Sequence, residues 1–406
     1  MTTVETSAWT KGVGGSDAET ELAQLTDRLH GCQPISTDEH KTRLAGLAQR
    51  MRETGYDAVY LDAGSNLTYY TGFKWWGSER LVGALVKPDA SITYVGPAFE
   101  TGTLTSYMRL DSPLITWEEH EDPYALCAAH LPAGARIGLD PATPLFRVTG
   151  LINAFNGQAQ DAAEIILPAR ARKSEAELAL MQATKTATLA VHQAAARILR
   201  AGISTGEVEA FIHAAHKAIG APGGSTFCIV LFGPDTAFPH GVAAPKTLDE
   251  GDMVLIDTGC AIHGYQSDIT RTYVFGAPTD RQRKVWEDEH ACQQAAFRAA
   301  QLGQPCHAAD DAARAESERR GYGPGYQLPG IPHRTGHGIG LDIHEGPYLV
   351  GGDTTLLDIG MCFSNEPMIC VPGEFGIRLE DHFYMTADGP RWFTRPSPSI
   401  DNPFGL

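Results

Sequence analysis

A short internal echo constrains this 406-residue chain more than any other feature. Leu248-Asp249-Glu250-Gly251 is repeated as Leu357-Asp358-Ile359-Gly360. Six residues beyond its glycine the first copy carries Asp257 and the second Glu366, each after a strand-like stretch, MVLI and the less apolar MCFSN. A second carboxylate follows in each copy: Asp268 eleven residues after Asp257, and Glu380 fourteen after Glu366. Two halves that each offer a carboxylate pair from neighbouring strands predict a duplicated scaffold around one central site.

The local sequence predicts how these groups meet. Asp257 lies in VLIDTGCAI and Asp268 in SDITRTYVF, with His263-Gly264 as the turn between them. A hairpin of that length brings the two aspartates roughly opposite each other. Arg378 and Glu380, at i and i+2 in GIRLED, share a strand face. Glu366 precedes Pro367, which biases it towards extended backbone. His337 sits in HRTGHGIG, whose glycines let backbone approach closely and leave the imidazole free. Four carboxylates and one imidazole repel each other unless cations gather them, and two divalent ions balance the four charges. Such a donor set suits Mn²⁺, Co²⁺, Fe²⁺ or Zn²⁺. Two ions roughly 3.5–4 Å apart can hold a bridging hydroxide and polarise a carbonyl, which points towards hydrolysis.

Composition removes other classes. Lys+Arg number 32 against 49 Asp+Glu, a formal charge of −17 with no basic run, so binding to nucleic acid through phosphates is not expected. The N-terminus lacks the apolar stretch of a signal peptide, and no run approaches the ~18 apolar residues of a membrane span. Eight cysteines at irregular spacing, without a CxxC pair, read as reduced cytoplasmic thiols.

Three segments are expected. Residues 1–38 form an N-terminal arm with one short helix. Residues 39–168 form an α/β domain, with a helix over 39–55 closed by Gly55 and strands at 58–63, 81–86 and 91–96. Residues 169–406 form an α+β domain, opened by a long helix whose capping box is Ser174 and Glu177 and which stops at Gly202. Further helices are predicted over 280–302 and 306–321.

Asp257, Asp268, His337, Glu366 and Glu380, in this order, resemble the ligand set of the pita-bread metallopeptidases, which include prolidase, aminopeptidase P and methionine aminopeptidase. HRTGHGIGLDIHE is the most specific stretch. The resemblance covers about 173–395 and, less clearly, the α/β domain that prolidase-type members carry. It implies an α+β pita-bread catalytic domain behind a creatinase-like N-terminal domain. It also implies two divalent ions, Mn²⁺ foremost with Co²⁺ or Zn²⁺ as alternatives. Asp257 would chelate one ion, Asp268 and Glu380 would bridge both, and His337 and Glu366 would complete the other. Glu366, or else Glu380, would serve the bridging hydroxide as base or proton shuttle. By the same resemblance His240 contacts substrate and the tetrahedral intermediate, and His344 hydrogen-bonds the scissile region. His333 is a further pocket histidine, and Arg378 hydrogen-bonds near the metal carboxylates or closes the pocket.

Roughly 170 residues ahead of the long helix argue against the methionine aminopeptidase branch, and creatinase lacks the ligands. A dimethylsulfoniopropionate lyase of this fold carries an aspartate where Gly259 stands, which disfavours that branch. The leading expectation is hydrolysis of Xaa-Pro dipeptides with release of proline, the alternatives being aminopeptidase P activity on longer peptides and the lyase reaction. Two departures touch the pocket: Thr226 replaces a common tyrosine, and Tyr348 stands among the substrate-binding positions where some prolidases place an arginine. Dipeptide selectivity then needs another cation, Arg334, Arg378 or one from a neighbouring subunit. The resemblance implies a homodimer, with Trp75 and Trp76 in a pocket wall or interface.

Overall fold

The computed structural model describes residues 9–244 and 246–406; the first eight residues of the expected arm lie outside the described residues. The chain divides into two compact units, one of Pro34–Arg170 and one of Met1–Gln33 with Ala171–Leu406. The division falls between Arg170 and Ala171, at the end of helix Ala163–Ala171.

The smaller unit is built on one six-stranded sheet. Its order is Leu114–Trp117, Ile92–Pro97, Gly83–Val86, Ala58–Asp62, Ile137–Leu139 and Ala159–Asp161. Gly83–Val86 runs antiparallel to both neighbours and the outer pairs are parallel. Ala58–Asp62 is buried at every position, as a strand covered on both faces must be. Helix Thr37–Thr54 starts on Ser36, whose side chain accepts from Glu39 N, and ends on left-handed Gly55. It buries Leu44, Leu47, Ala48 and Met51, spaced three and four apart. Trp75 is part of this unit's buried core, while Trp76, stacked on it at 4.9 Å, is 63% exposed.

A buried ion pair sits at the end of the central strand. Arg147 Nη1 lies 2.5 Å from Asp62 Oδ2, with both side chains out of solvent. Tyr60 donates its hydroxyl to Asp62 Oδ1 at 2.8 Å, and Arg147 Nη2 donates to the Arg80 carbonyl at 2.9 Å.

The larger unit carries the duplication. Helices Glu175–Arg197 and Thr205–Ala218, each opened by a Ser–Glu capping box, precede a sheet ordered Ile269–Val274, Met253–Ile262, Ser225–Phe232. Helices Asp280–Ala299 and His307–Arg319 precede a five-stranded sheet. Its order is Glu345–Leu349, Gly336–Gly338, Cys362–Asn365, Asp381–Thr386, Gly389–Trp392. A hairpin, Met368–Val371 with Phe375–Arg378, stands between two of those strands in sequence. The repeated tetrapeptide makes the same backbone bonds in both halves. Gly202 N donates to Leu248 O at 2.8 Å and Leu248 N to Ile203 O at 2.9 Å; Gly303 N donates to Leu357 O at 2.9 Å and Leu357 N to Gln304 O at 2.8 Å. Each helix pair has its own core. Ala187, Val191, Val208 and Ile212 pack with Val254 and Ile256, and Val285, Cys292 and Ala296 pack with Phe363 and Phe383.

Residues 9–33, within the expected N-terminal arm, pack with this unit. Trp9 meets Phe275 edge-on at 5.4 Å, Thr10 N donates to Gly276 O at 2.8 Å, and Val13 and Leu29 join the first core. The expected short helix is Ala18–Gln24, capped by Asp17.

Removing one member of a buried ion pair strands the other charge. Arg147→Ala is therefore expected to destabilise the smaller unit by about 3–5 kcal/mol. Urea unfolding followed by the fluorescence of Trp75 and Trp117 checks this; a loss below about 1 kcal/mol would contradict it.

Candidate metal centre

The first pair of carboxylates comes from a tight hairpin. Ile262 faces Tyr265 across a two-residue turn in which His263 (φ 51°) and Gly264 (φ 92°) both adopt positive φ. That turn fixes the register so that Thr270, not Asp268, stands directly across from Asp257. The two aspartates are thus diagonal neighbours, two residues off direct opposition within the roughly opposed arrangement expected. A Cβ on Gly259 would stand 1.8 Å from the Ser267 carbonyl oxygen, so the backbone next to Asp268 approaches a position open only to glycine.

The second pair comes from the other half. Asn365 pairs with Asp381, and Glu366 and Glu380 flank that pair on its outer side. Glu366 N donates to Thr335 O at 2.8 Å, and Ser364 Oγ lies 3.1 Å from Glu366 Oε1. Glu380 joins the halves: its N donates to Thr270 O at 3.1 Å, and Thr270 Oγ1 donates to its Oε2 at 2.8 Å. His337 lies between, on a segment where a Cβ at Gly336 would meet Ser364 O at 2.1 Å. Its Nδ1 is 3.0 Å from Gly338 O and must be the protonated nitrogen, since a carbonyl only accepts. Nε2 then faces Glu366 Oε1, 3.1 Å away, and Asp268 Oδ2, 3.6 Å away.

All five expected ligands therefore converge, and their chemistry fits divalent cations. Asp257 Oδ1, Asp268 Oδ1 and Glu380 Oε1 are buried without a hydrogen-bond partner among the described residues. Such orphaned acceptors are costly unless something positive meets them. His337, Glu366 and Glu380 offer ligand atoms within 4.8 Å of one another, as do Asp268, His337 and His344, and Asp268, Glu380 and His382.

Electrostatics say the same. Burial pushes the Asp257, Asp268 and Glu380 carboxyls above their ordinary range. The charges of Asp257 and Glu366 raise Asp268 further, and those of Asp268, Glu366 and Asp257 raise Glu380. At Asp257 the Arg378 guanidinium opposes the rise. Burial also acts on Glu366, but the hydrogen bond and charge of His337, with the charges of His333 and Arg378, outweigh it and hold this carboxyl well below the usual range.

Arg378 is fully engaged. Nη2 lies 2.5 Å from Asp257 Oδ2, Nε donates to Thr270 Oγ1 at 3.1 Å, and Nη1 donates to Pro239 O at 3.0 Å. Of its two expected roles, bonding among the carboxylates is the one seen. The other histidines gather at the rim. The His344 ring lies 4.0 Å from that of His337, and burial followed by the His337 charge lowers its pKa to about 4. His333 is pushed below its ordinary value by burial; its Nδ1 donates to Arg334 O at 2.7 Å, and its Nε2 is buried without a partner among the described residues. His240 is exposed, and its charge acts on both His333 and His344. The Arg334 guanidinium lies 4.4 Å over the Tyr348 ring. Thr226 is exposed at an irregularity in strand Ser225–Phe232.

Three site residues escaped the sequence reading. Thr270 bonds Glu380 and Arg378, Ser364 bonds Glu366 and receives His337 N, and His382 stands beside Glu380. Only His382 had a sequence signal: it is two residues past Glu380 on a strand, the spacing that paired Arg378 with Glu380.

Comparison with known proteins follows the same division. The Creatinase/Prolidase N-terminal domain model matches residues 43–172, and the model for metallopeptidase family M24 matches residues 179–387. The Xaa-Pro dipeptidase of Lactobacillus delbrueckii subsp. lactis is 30% identical over 360 residues, covering 86% of this chain and 96% of that one. The Xaa-Pro dipeptidase of Pyrococcus furiosus is 30% identical over 357 residues, covering 87% and 98%. The crystal structure of dipeptidase PepE from Mycobacterium ulcerans superposes with a TM-score of 0.83 at 30% identity, covering 89% and 97%. Fold and site together define a two-domain, metal-dependent hydrolase with an α+β catalytic unit. The chain belongs to metallopeptidase family M24 and carries that family's Creatinase/Prolidase N-terminal domain. Among the described residues no helix is long and apolar enough to cross a membrane.

The raised carboxyls fix a pH response. A group whose folded pKa lies above its unfolded value stabilises the fold below the unfolded value, about 4, and loses that contribution as pH rises through the folded value. Asp257, Asp268 and Glu380 act in this sense; the opposite shift of Glu366 acts below about pH 4.5. Chelator-treated protein should melt lower at pH 8 than at pH 5.5, and Mn²⁺ should raise the melting temperature more at pH 8. Melting that ignores both pH and divalent ions would contradict this, and differential scanning calorimetry decides.

Proposed function

We propose that this chain hydrolyses Xaa-Pro dipeptides and releases free proline, using two divalent ions, Mn²⁺ foremost. The single observation that carries this reading is the convergence of three buried carboxylates, Asp257, Asp268 and Glu380, with the partly buried Glu366 and the imidazole of His337, three of the carboxylate oxygens being unpartnered among the described residues. The names of the relatives, Xaa-Pro dipeptidases at 30% identity over most of both chains, supply the substrate class. In this reading Asp257, Asp268, His337, Glu366 and Glu380 would hold the two ions. Ions bound there would polarise the scissile carbonyl and supply a nucleophile from water at neutral pH.

The chain's own residues do the remaining work. Glu366, kept ionised by His337, is the base that takes a proton at its carboxylate and passes it on towards the leaving nitrogen of proline. His240 and His344 line the rim as donors towards the oxygen that gains charge, and His333 borders the same space. Arg378 is a positioning residue: its ion pair and two hydrogen bonds orient Asp257 and Thr270. Arg334, set on the Tyr348 ring and without an ion pair among the described residues, receives the free carboxylate of a dipeptide. This arrangement favours dipeptides over the longer substrates of aminopeptidase P. The lyase reading loses ground at Gly259, where an aspartate would need the Ser267 backbone to move. We also assign the protein to the cytoplasm, supported by eight free cysteines, and to a homodimer, by family likeness.

Two variants test the assignment with Gly-Pro, Ala-Pro and an Xaa-Pro-Xaa tripeptide. Glu366→Ala should lower kcat by about 10²–10⁴-fold with an unchanged circular dichroism spectrum; full activity in that variant sinks the mechanism. Arg334→Ala should raise KM for dipeptides about tenfold or more while leaving any tripeptide cleavage unaffected. Equal effects on both substrates would remove Arg334 from carboxylate recognition, and wild-type cleavage of tripeptides alone would move the assignment to aminopeptidase P.

A further inference from the structure

The five ligands above leave one buried imidazole without an account. His382 is fully buried on strand Asp381–Thr386, and neither of its ring nitrogens has a hydrogen-bond partner among the described residues. Its Nε2 stands 3.9 Å from Glu380 Oε1, itself an orphaned acceptor. One ligand atom each from Asp268, Glu380 and His382 lie within 4.8 Å of one another.

Strand periodicity explains the placement. Glu380 and His382, two apart, face one side, while Asp381 between them turns away to Arg271, whose Nη2 is 2.8 Å from Asp381 Oδ1. Across the sheet Ser364 is the register partner of His382, and Ser364 Oγ accepts from His337 N at 2.9 Å. His337 and His382 therefore flank Ser364 from the two neighbouring strands, with ring centroids 6.4 Å apart. The charged and titratable groups facing His382 are Glu380, Lys185, His337 and His344. Lys185, buried on the long helix, donates its Nζ to Gln266 O at 3.0 Å.

We propose that His382 is a sixth protein ligand of this centre, giving an imidazole nitrogen to an ion held by Asp268 and Glu380. The inference rests on the metal centre proposed above and adds an imidazole to its donor set. Imidazole favours Zn²⁺ and Co²⁺ over Mn²⁺, which prefers oxygen donors. His382 thus tunes which ion this chain retains, and its loss should move the balance towards Mn²⁺.

The test measures metal binding and does not depend on peptide turnover. His382→Phe keeps a ring of similar shape, and His382→Asn keeps polarity; folding is checked by circular dichroism and melting. Dissociation constants for Zn²⁺ and Mn²⁺ come from competition with a chelator, and Co²⁺-loaded protein is followed by its d–d absorption. The expected result is a Zn²⁺ affinity weakened at least tenfold for one of the two ions, a smaller change for Mn²⁺, and an altered Co²⁺ spectrum. Folded variants with unchanged Zn²⁺ affinity and an unchanged Co²⁺ spectrum would overturn the proposal. X-ray absorption of the Zn²⁺-loaded protein, with His344→Ala as control for the other nearby imidazole, answers the question even if both variants fail to fold. About one imidazole per zinc supports His382 as a ligand, and one per two zincs overturns it. A wild-type protein that binds no divalent ion would overturn the metal-centre reading itself, a different failure from wild-type binding that His382 does not influence.

Discussion

Everything in the larger unit is arranged around a concentration of negative charge that a protein interior does not tolerate alone. Asp257, Asp268, Glu366 and Glu380 come from two halves of the chain, and three of their oxygens are buried without a hydrogen-bond partner among the described residues. One guanidinium, Arg378, is paired with Asp257. It offsets part of the repulsion and leaves the Asp268 and Glu380 carboxyls pushed upward. Unpaired charge of this kind is retained where function requires it. The surrounding structure, from the glycine at 259 to the hydroxyl of Thr270, exists to hold these groups closer than they would choose.

The duplicated scaffold makes that convergence possible. Each half presents a strand whose carboxylate follows the same turn, and the matched backbone bonds of Leu248 and Leu357 show that the turn has one geometry in both places. Each half has its own apolar core behind its helices, so each strand is positioned independently of the charge it carries. The halves meet where Glu380 N donates to Thr270 O. A site at such a junction takes its rigidity from two cores, which is how it keeps like charges together.

Much of this was legible in the sequence because it rests on local rules. The capping box at Ser174, the turn at His263-Gly264 and the tetrapeptide echo are contiguous signals, and the five candidate ligands stand in strand-like contexts that fix which way they face. Less legible were features decided by register or by packing far along the chain. Asp268 was expected roughly opposite Asp257, but the positive-φ turn sets a register in which Thr270, two residues further on, stands directly across from it. Residues 9–33 read as a polar arm because their few apolar side chains have no core nearby in sequence, and the core that Val13 and Leu29 join is built from Ala187 onwards, 174 and 158 residues further on. The roles of Thr270 and Ser364 had no sequence signal, since a hydroxyl on a strand is unremarkable until a carboxylate stands across from it.

The two arginines near the site illustrate how burial separates candidates that sequence leaves equal. Both Arg334 and Arg378 could have replaced the arginine missing at Tyr348. Arg378 is buried, with its donors directed to Asp257, Thr270 and Pro239, so meeting a substrate carboxylate would break bonds that order the candidate metal ligands. Arg334 is half-buried, and its plane rests on Tyr348. Stacking on an aromatic face restricts a flexible side chain while leaving its in-plane N–H groups able to donate. The tyrosine at 348 can thus be read as part of the recognition device: it supplies the platform, and a residue fourteen positions earlier supplies the charge.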